Sequence, residues 1–198
     1  MFSLKSATVV ALTIILSAGS MLPAHAGLVY DRQSRNWVEE SELPVRKPRS
    51  GSAIKKEVVD YETTQAPGTI VIETDERRLY LVLEDGKALK YGIGVGRDGF
   101  TWSGTHRITR KAEWPGWTPP AAMRKRVPDL PAYMEGGPDN PLGARALYIG
   151  STLYRVHGTS EPWSIGQAVS SGCIRLTNED VTDLYERVEV GARIIVNH

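Results

Sequence analysis

Asp85-Gly86, set between two apolar-rich runs, constrains the fold of this chain more than any other pair of residues. The flanking runs are Arg78-Leu79-Tyr80-Leu81-Val82-Leu83 and Ala88-Leu89-Lys90-Tyr91-Gly92-Ile93. A two-residue primed turn needs positive φ at its centre, which glycine adopts without strain, so the pair predicts an antiparallel hairpin. Thr69-Ile70-Val71-Ile72 predicts a strand before it, and residues 105–110, 146–149, 153–156 and 192–196 predict further strands. One helix is expected. Thr177 or Asn178 suits its N-cap, Asp180 suits the dipole of its first turn, and Val181, Leu184, Tyr185 and Val188 recur at i, i+3, i+4 and i+7. Many strands, hairpin connections and a single helix predict a mainly β, sandwich-like domain with one C-terminal helix.

Three stretches depart from that pattern. Residues 114–145 hold seven prolines, which predicts neither a ladder nor a helix but a long loop of the lid or binding kind. Its Trp114, Trp117, Tyr133 and Met134 either wall a groove for an extended peptide or plug the domain's own core. Gly92, Gly94 and Gly96 match a phosphate-binding fingerprint only weakly, because no helix follows; they predict a strand that something approaches closely. Residues 27–66, with seven basic and seven acidic side chains, read as a polar linker or surface arm in which Val58, Val59 and Tyr61 can pack on the domain.

At the N-terminus, Lys5, the apolar run Ala7-Thr8-Val9-Val10-Ala11-Leu12-Thr13-Ile14-Ile15-Leu16 and then Ala24-His25-Ala26 predict a secretory signal peptide, residues 1–26, cut after Ala26. The run falls short of the roughly 20 residues a membrane span needs, so no stable membrane anchor is expected after cleavage. The residue directly after the cut is Gly27, not a cysteine, which argues against a lipoprotein. Across the chain 24 basic residues balance 23 acidic ones, which gives no charge bias toward nucleic acid. The chain has one cysteine, so no internal disulfide can form and packing alone must hold the core.

That cysteine, Cys173, follows His157 by sixteen positions. A lone cysteine is ordinarily a small buried apolar residue, and a lone histidine at a strand end a satisfied core residue. Together they allow another chemistry. A thiol attacks as its thiolate, and an imidazole brought close in space can take the proton, giving a thiolate–imidazolium pair. Gly172, just before Cys173, leaves room for a substrate carbonyl and frees the backbone to aim N–H groups at it.

His157-Gly158-Thr159, then Ser170-Ser171-Gly172-Cys173-Ile174-Arg175-Leu176-Thr177-Asn178-Glu179-Asp180, resembles the signature of the L,D-transpeptidases with a YkuD-type catalytic domain. The similarity extends from about Pro67 to the C-terminus through Pro67-Gly68-Thr69-Ile70-Val71 and Gly94-Val95-Gly96-Arg97, so residues 67–198 are expected to be the catalytic domain. The resemblance implies a periplasmic, cell-wall-associated enzyme that needs no cofactor and works on peptidoglycan tetrapeptide stems. Cys173 would attack the carbonyl of the third residue, a diamino acid, and expel the terminal D-alanine; a stem or protein amine would then resolve the thioester. His157 would be general base and acid, oriented by the main-chain carbonyl of Gly158, with Gly172 as a backbone oxyanion donor. Ser170, Ser171, Thr159 and Arg175 would contact substrate. Many members carry histidine where this chain has Ser171, so no second imidazole serves here.

Some roles stay open at this stage. Ser170 and Ser171 either donate to substrate or thiolate or simply form the turn. Arg175, two residues past Cys173 and so on the same face of a strand, either forks onto a stem carboxylate or pairs with Glu179 or Asp180 to brace the helix start. Zinc would need His106, His157 or His198 with Cys173 at no recognisable ligand spacing, so no metal is expected. Water in place of the acceptor amine would make the protein an L,D-carboxypeptidase or hydrolase; loss of chemistry altogether would leave a peptidoglycan-binding module that uses the aromatic loop.

Overall fold

The computed structural model describes residues 28–31, 36–39 and 54–198. The expected signal peptide lies outside the described residues. The chain divides into two compact units, residues 1–47 and 48–198. In the first, strands β1 (Leu28–Asp31) and β2 (Asn36–Glu39) pair antiparallel, with Leu28 opposite Glu39.

The second unit is built on β3 (Glu57–Asp60), β4 (Ile70–Glu73), β5 (Arg78–Val82), β6 (Lys87–Gly92), β7 (Val95–Gly96), β8 (Gly104–Glu113), β9 (Arg145–Ile149), β10 (Arg155–His157), β11 (Ala168–Ser170), β12 (Ile174–Arg175) and β13 (Arg193–Asn197). Helix α1 covers Ala121–Arg126 and helix α2 covers Asn178–Arg187. Nine strands hydrogen-bond in the order β12-β10-β9-β8-β13-β4-β5-β6-β3, while β7 and β11 form a short parallel pair. The fold is mainly β with one helix of substantial length.

The β5–β6 hairpin forms as its turn predicts. Asp85 and Gly86 have φ of 57° and 65°, the double positive a primed turn requires. Their hairpin packs Leu79, Leu81, Leu89 and Tyr91 into the core. Strand β8 joins the two halves of the sheet: Gly104 to Arg107 pair with β13, and Ile108 to Glu113 pair with β9, with an irregularity in register between Ile108 and Arg110. One apolar cluster runs through both halves and takes Ile70 and Ile72 of β4, Ile108 of β8, Leu147 and Ile149 of β9, and Ile194 and Val196 of β13. Within the nine-stranded sheet two pairings are parallel. β10 and β12 run parallel, as do β13 and β4, because loop and helix segments intervene.

Helix α2 begins where its N-cap signal lies. Thr177 Oγ1 accepts the Asp180 N–H at 3.0 Å, and Val181, Leu184 and Val188 bury completely. Tyr185 packs at the edge, with the Lys111 ammonium 4.1 Å over its ring. Two expectations change. The proline-rich stretch does hold regular structure: between Pro120 and Pro128 seven proline-free residues suffice for α1, whose first turn bonds to the Pro120 carbonyl from Met123 at 2.8 Å. Trp117 and Met134 exchange two backbone hydrogen bonds of 2.7 and 2.8 Å. Within residues 27–66 three short strands form, and β3 pairs with β6 along Val58 and Val59. Tyr61 then stacks on Tyr80 at 4.7 Å.

Candidate active site

β10 and β12 lie side by side with Val156 opposite Ile174 and His157 opposite Arg175. Val156 and Ile174 point into the core, so strand alternation places His157 and Arg175 on the other face. Cys173, two positions before Arg175, falls on that same face. This pairing brings His157 beside the strand that Cys173 immediately precedes. The cysteine is free and half-buried, its Sγ 3.9 Å from the Leu153 carbonyl. The imidazole is only 4% exposed.

His157 Nδ1 lies 2.6 Å from the Gly158 carbonyl oxygen. A carbonyl only accepts, so Nδ1 carries a proton, and in the neutral ring Nε2 is left as the basic nitrogen. Burial, with the guanidiniums of Arg175 and Arg155 adding repulsion, pushes the imidazole down to about 3, although the Gly158 and Leu142 carbonyls act the other way. Low dielectric disfavours the imidazolium. The resting thiolate–imidazolium pair expected from the sequence is thus opposed by its surroundings; they favour a neutral ring.

Cys173 ends a tightly held turn. Ser170 is 2% exposed, donates its hydroxyl to the Cys173 carbonyl at 2.6 Å and accepts the Gly172 N–H at 3.1 Å. Of the two readings open for Ser170, the turn-forming one describes these bonds. Gly172 sits at φ 101°, where a side chain is strained, and a β-carbon there would come 2.5 Å from Tyr154 Cε1 and 3.2 Å from the Phe100 carbonyl. The Trp102 indole N–H donates to the Gly172 carbonyl at 2.7 Å while its ring stacks on Tyr154 at 4.5 Å. Sequence reasoning missed this aromatic clamp; its one signal was the glycine series. Gly94 packs against the Ser164 carbonyl, 2.8 Å from where a β-carbon would sit, and Gly96 packs against Phe100 and Gly172.

Around this centre Arg175 pairs with Glu161 at 3.2 Å. The parallel crossover sends the residue 161–169 loop back beside β12, which sequence distance hides. Thr159 is 3% exposed, and its hydroxyl accepts the Glu161 N–H at 3.0 Å. Asn178, the first residue of α2, was read only as a possible cap and does more. Its Oδ1 accepts the N–H of Ala144 at 2.9 Å and of Thr159 at 3.2 Å, tying two loops that flank Gly158. Ser171 is partly exposed beside the thiol. In the proline-rich segment Trp117 is buried, Met134 partly buried, and Trp114 and Tyr133 are 43% and 57% exposed, so one pair plugs and the other faces solvent. Among the described residues no three His, Cys, Asp or Glu side chains converge as a metal site.

A mainly β domain with a buried histidine on one strand and a cysteine at the start of the adjacent parallel strand defines the class. The family is defined by comparison. Residues 67–196 match the model of the YkuD family, the L,D-transpeptidase catalytic domain, and the chain belongs to that family. It is 40% identical over 158 residues to the probable L,D-transpeptidase ErfK/SrfK of Escherichia coli, covering 74% of this chain and 49% of the relative. It is 45% identical over 134 residues to the probable L,D-transpeptidase YbiS of the same species, covering 63% of this chain and 43% of the relative. The chain thus spans less than half the length of these curated relatives. In fold it is similar to L,D-transpeptidase 3 of Mycobacterium tuberculosis, with a TM-score of 0.51 at 20% identity over 66% of this chain and 60% of that one.

Proposed function

We propose that this protein is a cysteine-dependent L,D-transpeptidase that acts on peptidoglycan tetrapeptide stems in the periplasm. Cys173 Sγ attacks the carbonyl of the third residue, His157 Nε2 takes the thiol proton, and a tetrahedral oxyanion forms. Collapse breaks the bond to D-alanine, whose amine receives the proton from His157. An acceptor amine then attacks the thioester, loses a proton to His157 and releases the thiol. The observation that supports this reading is the register of β10 on β12, with His157 opposite Arg175 and Cys173 immediately before β12. The Gly158 carbonyl supports it by orienting the ring. Gly172 serves as an oxyanion donor when its N–H, held by Ser170 Oγ, is shared with substrate.

The periplasmic location rests on the signal-peptide pattern of residues 1–26. Among the described residues no helix is long and apolar enough to cross a membrane.

Incubation of the purified protein with defined tetrapeptide stems, followed by mass analysis, tests the reaction. Cross-linked stems together with released D-alanine are expected. Bare tripeptides alone would make the protein a carboxypeptidase. Stem binding with no product, or product formation that survives Cys173→Ala, would reject the proposal.

A further inference from the structure

The loop after β7 is laid over the nucleophile turn. The Arg97 N–H donates to the Ser170 carbonyl at 3.1 Å and the Phe100 N–H to the Arg97 carbonyl at 2.9 Å. The Phe100 carbonyl in turn abuts Gly172. The Phe100 ring gathers two guanidiniums: Arg97 lies 4.5 Å from its centre, and Arg126, the last residue of α1, lies 5.6 Å from it. Arg126 closes the run Arg124-Lys125-Arg126, so the proline-rich segment carries concentrated positive charge to this point.

Both arginines are exposed, and among the described residues neither forms an ion pair, although Asp98 adjoins Arg97 and Asp129 follows α1. The Phe100 ring is only half-buried, and a cation over a ring open to solvent is weakly held. Two like charges gathered on one ring repel, and an anion placed between them removes the repulsion. The guanidinium fork matches a carboxylate.

We propose that Arg97 and Arg126 form a carboxylate-recognition site on the approach to Cys173, gripping a carboxylate of the peptide substrate between the nucleophile loop and the proline-rich segment. The identity of that substrate rests on the peptide-transfer reading above. The recognised group is either the C-terminal carboxylate of the stem or the side-chain carboxylate of its diamino acid.

Calorimetric binding to the Cys173→Ala protein tests the site without turnover. Three ligands serve: a tetrapeptide stem, its C-terminal amide, and a stem whose third residue is lysine. The analogue that lacks the recognised carboxylate is expected to bind about tenfold more weakly than the parent. Arg97→Gln and Arg126→Gln should each erase most of that difference while leaving the weaker analogue within about twofold. The site is overturned if no stem binds, if all three bind alike, if the preference survives both substitutions, or if the substitutions weaken every ligand equally. Should the unsubstituted enzyme release no D-alanine while the arginine-dependent preference holds, transfer chemistry fails and the binding site stands.

Discussion

The two sides of the candidate site are built differently. Behind His157, the Gly158 and Leu142 carbonyls face an imidazole that is 4% exposed, while Asn178 Oδ1 ties the Ala144 and Thr159 N–H groups around Gly158. In front, the nucleophile turn presents a half-buried thiol, and Phe100, packed against Gly172, carries the Arg97 and Arg126 guanidiniums over its ring. The contrast teaches how labour is divided. A base needs one tautomer and one orientation, which burial and fixed carbonyls supply. A nucleophile needs access, so its constraints fall on the turn beneath it and not on the sulfur.

Breaking the front should therefore abolish chemistry without unfolding the domain. Cys173→Ala is expected to lower turnover of stems by at least about three orders of magnitude while shifting Tm little, since the sulfur makes few contacts; product assay and thermal melting read the two effects.

Gly172→Ala strikes the turn itself. Positive φ and the contact with Tyr154 should cost about 1–3 kcal/mol and displace Cys173. Urea denaturation with residual activity checks it, and an unaltered kcat would show that the turn is not what aims the nucleophile.

The back predicts a pH effect. His157 is held below its unfolded value, so the unfolded chain binds more protons between about pH 6.5 and 3. Stability contributed by the neutral ring is present above pH 6.5 and is lost as pH falls through that window. The urea midpoint should drop from pH 7.5 to 5 more in the parent than in His157→Gln. Alkylation sharpens the same point: a neutral resting ring predicts that Cys173 reacts at pH 6 within a few-fold of its rate in His157→Ala, where a resting ion pair would make it far faster.

Asn178→Ala, which frees two backbone N–H groups near Gly158, should cost about 1–3 kcal/mol. It should lower kcat more than it raises KM, and Asn178→Asp, which keeps the acceptors, should restore most of the loss. The smallest effect is expected at Trp114. Its replacement by alanine should change stability by less than about 0.5 kcal/mol and raise KM alone, if the exposed ring lines the peptide's path.

Much of the fold was legible because its signals are local. Asp85-Gly86 defines a hairpin within six residues' reach, and the Val181, Leu184, Val188 stripe with Thr177 ahead of it defines α2. Where reading failed, partners lay far off or regular structure was too short to announce itself. Helix α1 is six residues between prolines, and Glu161 reaches Arg175 only after the chain crosses over. The roles of Trp102, Tyr154 and Asn178 at the site carry no periodic signature; each depends on what another segment brings near.

Composition, turn chemistry and the 157–180 motif by themselves determined a mainly β chain of the YkuD family with a single thiol. Tertiary structure alone decided that β10 and β12 run parallel, that the imidazole is buried, and that an aromatic pair clamps Gly172. The physical reason is range: patterning and φ preferences act over a few residues, whereas burial, charge and hydrogen-bond partnership are set by which distant strands become neighbours.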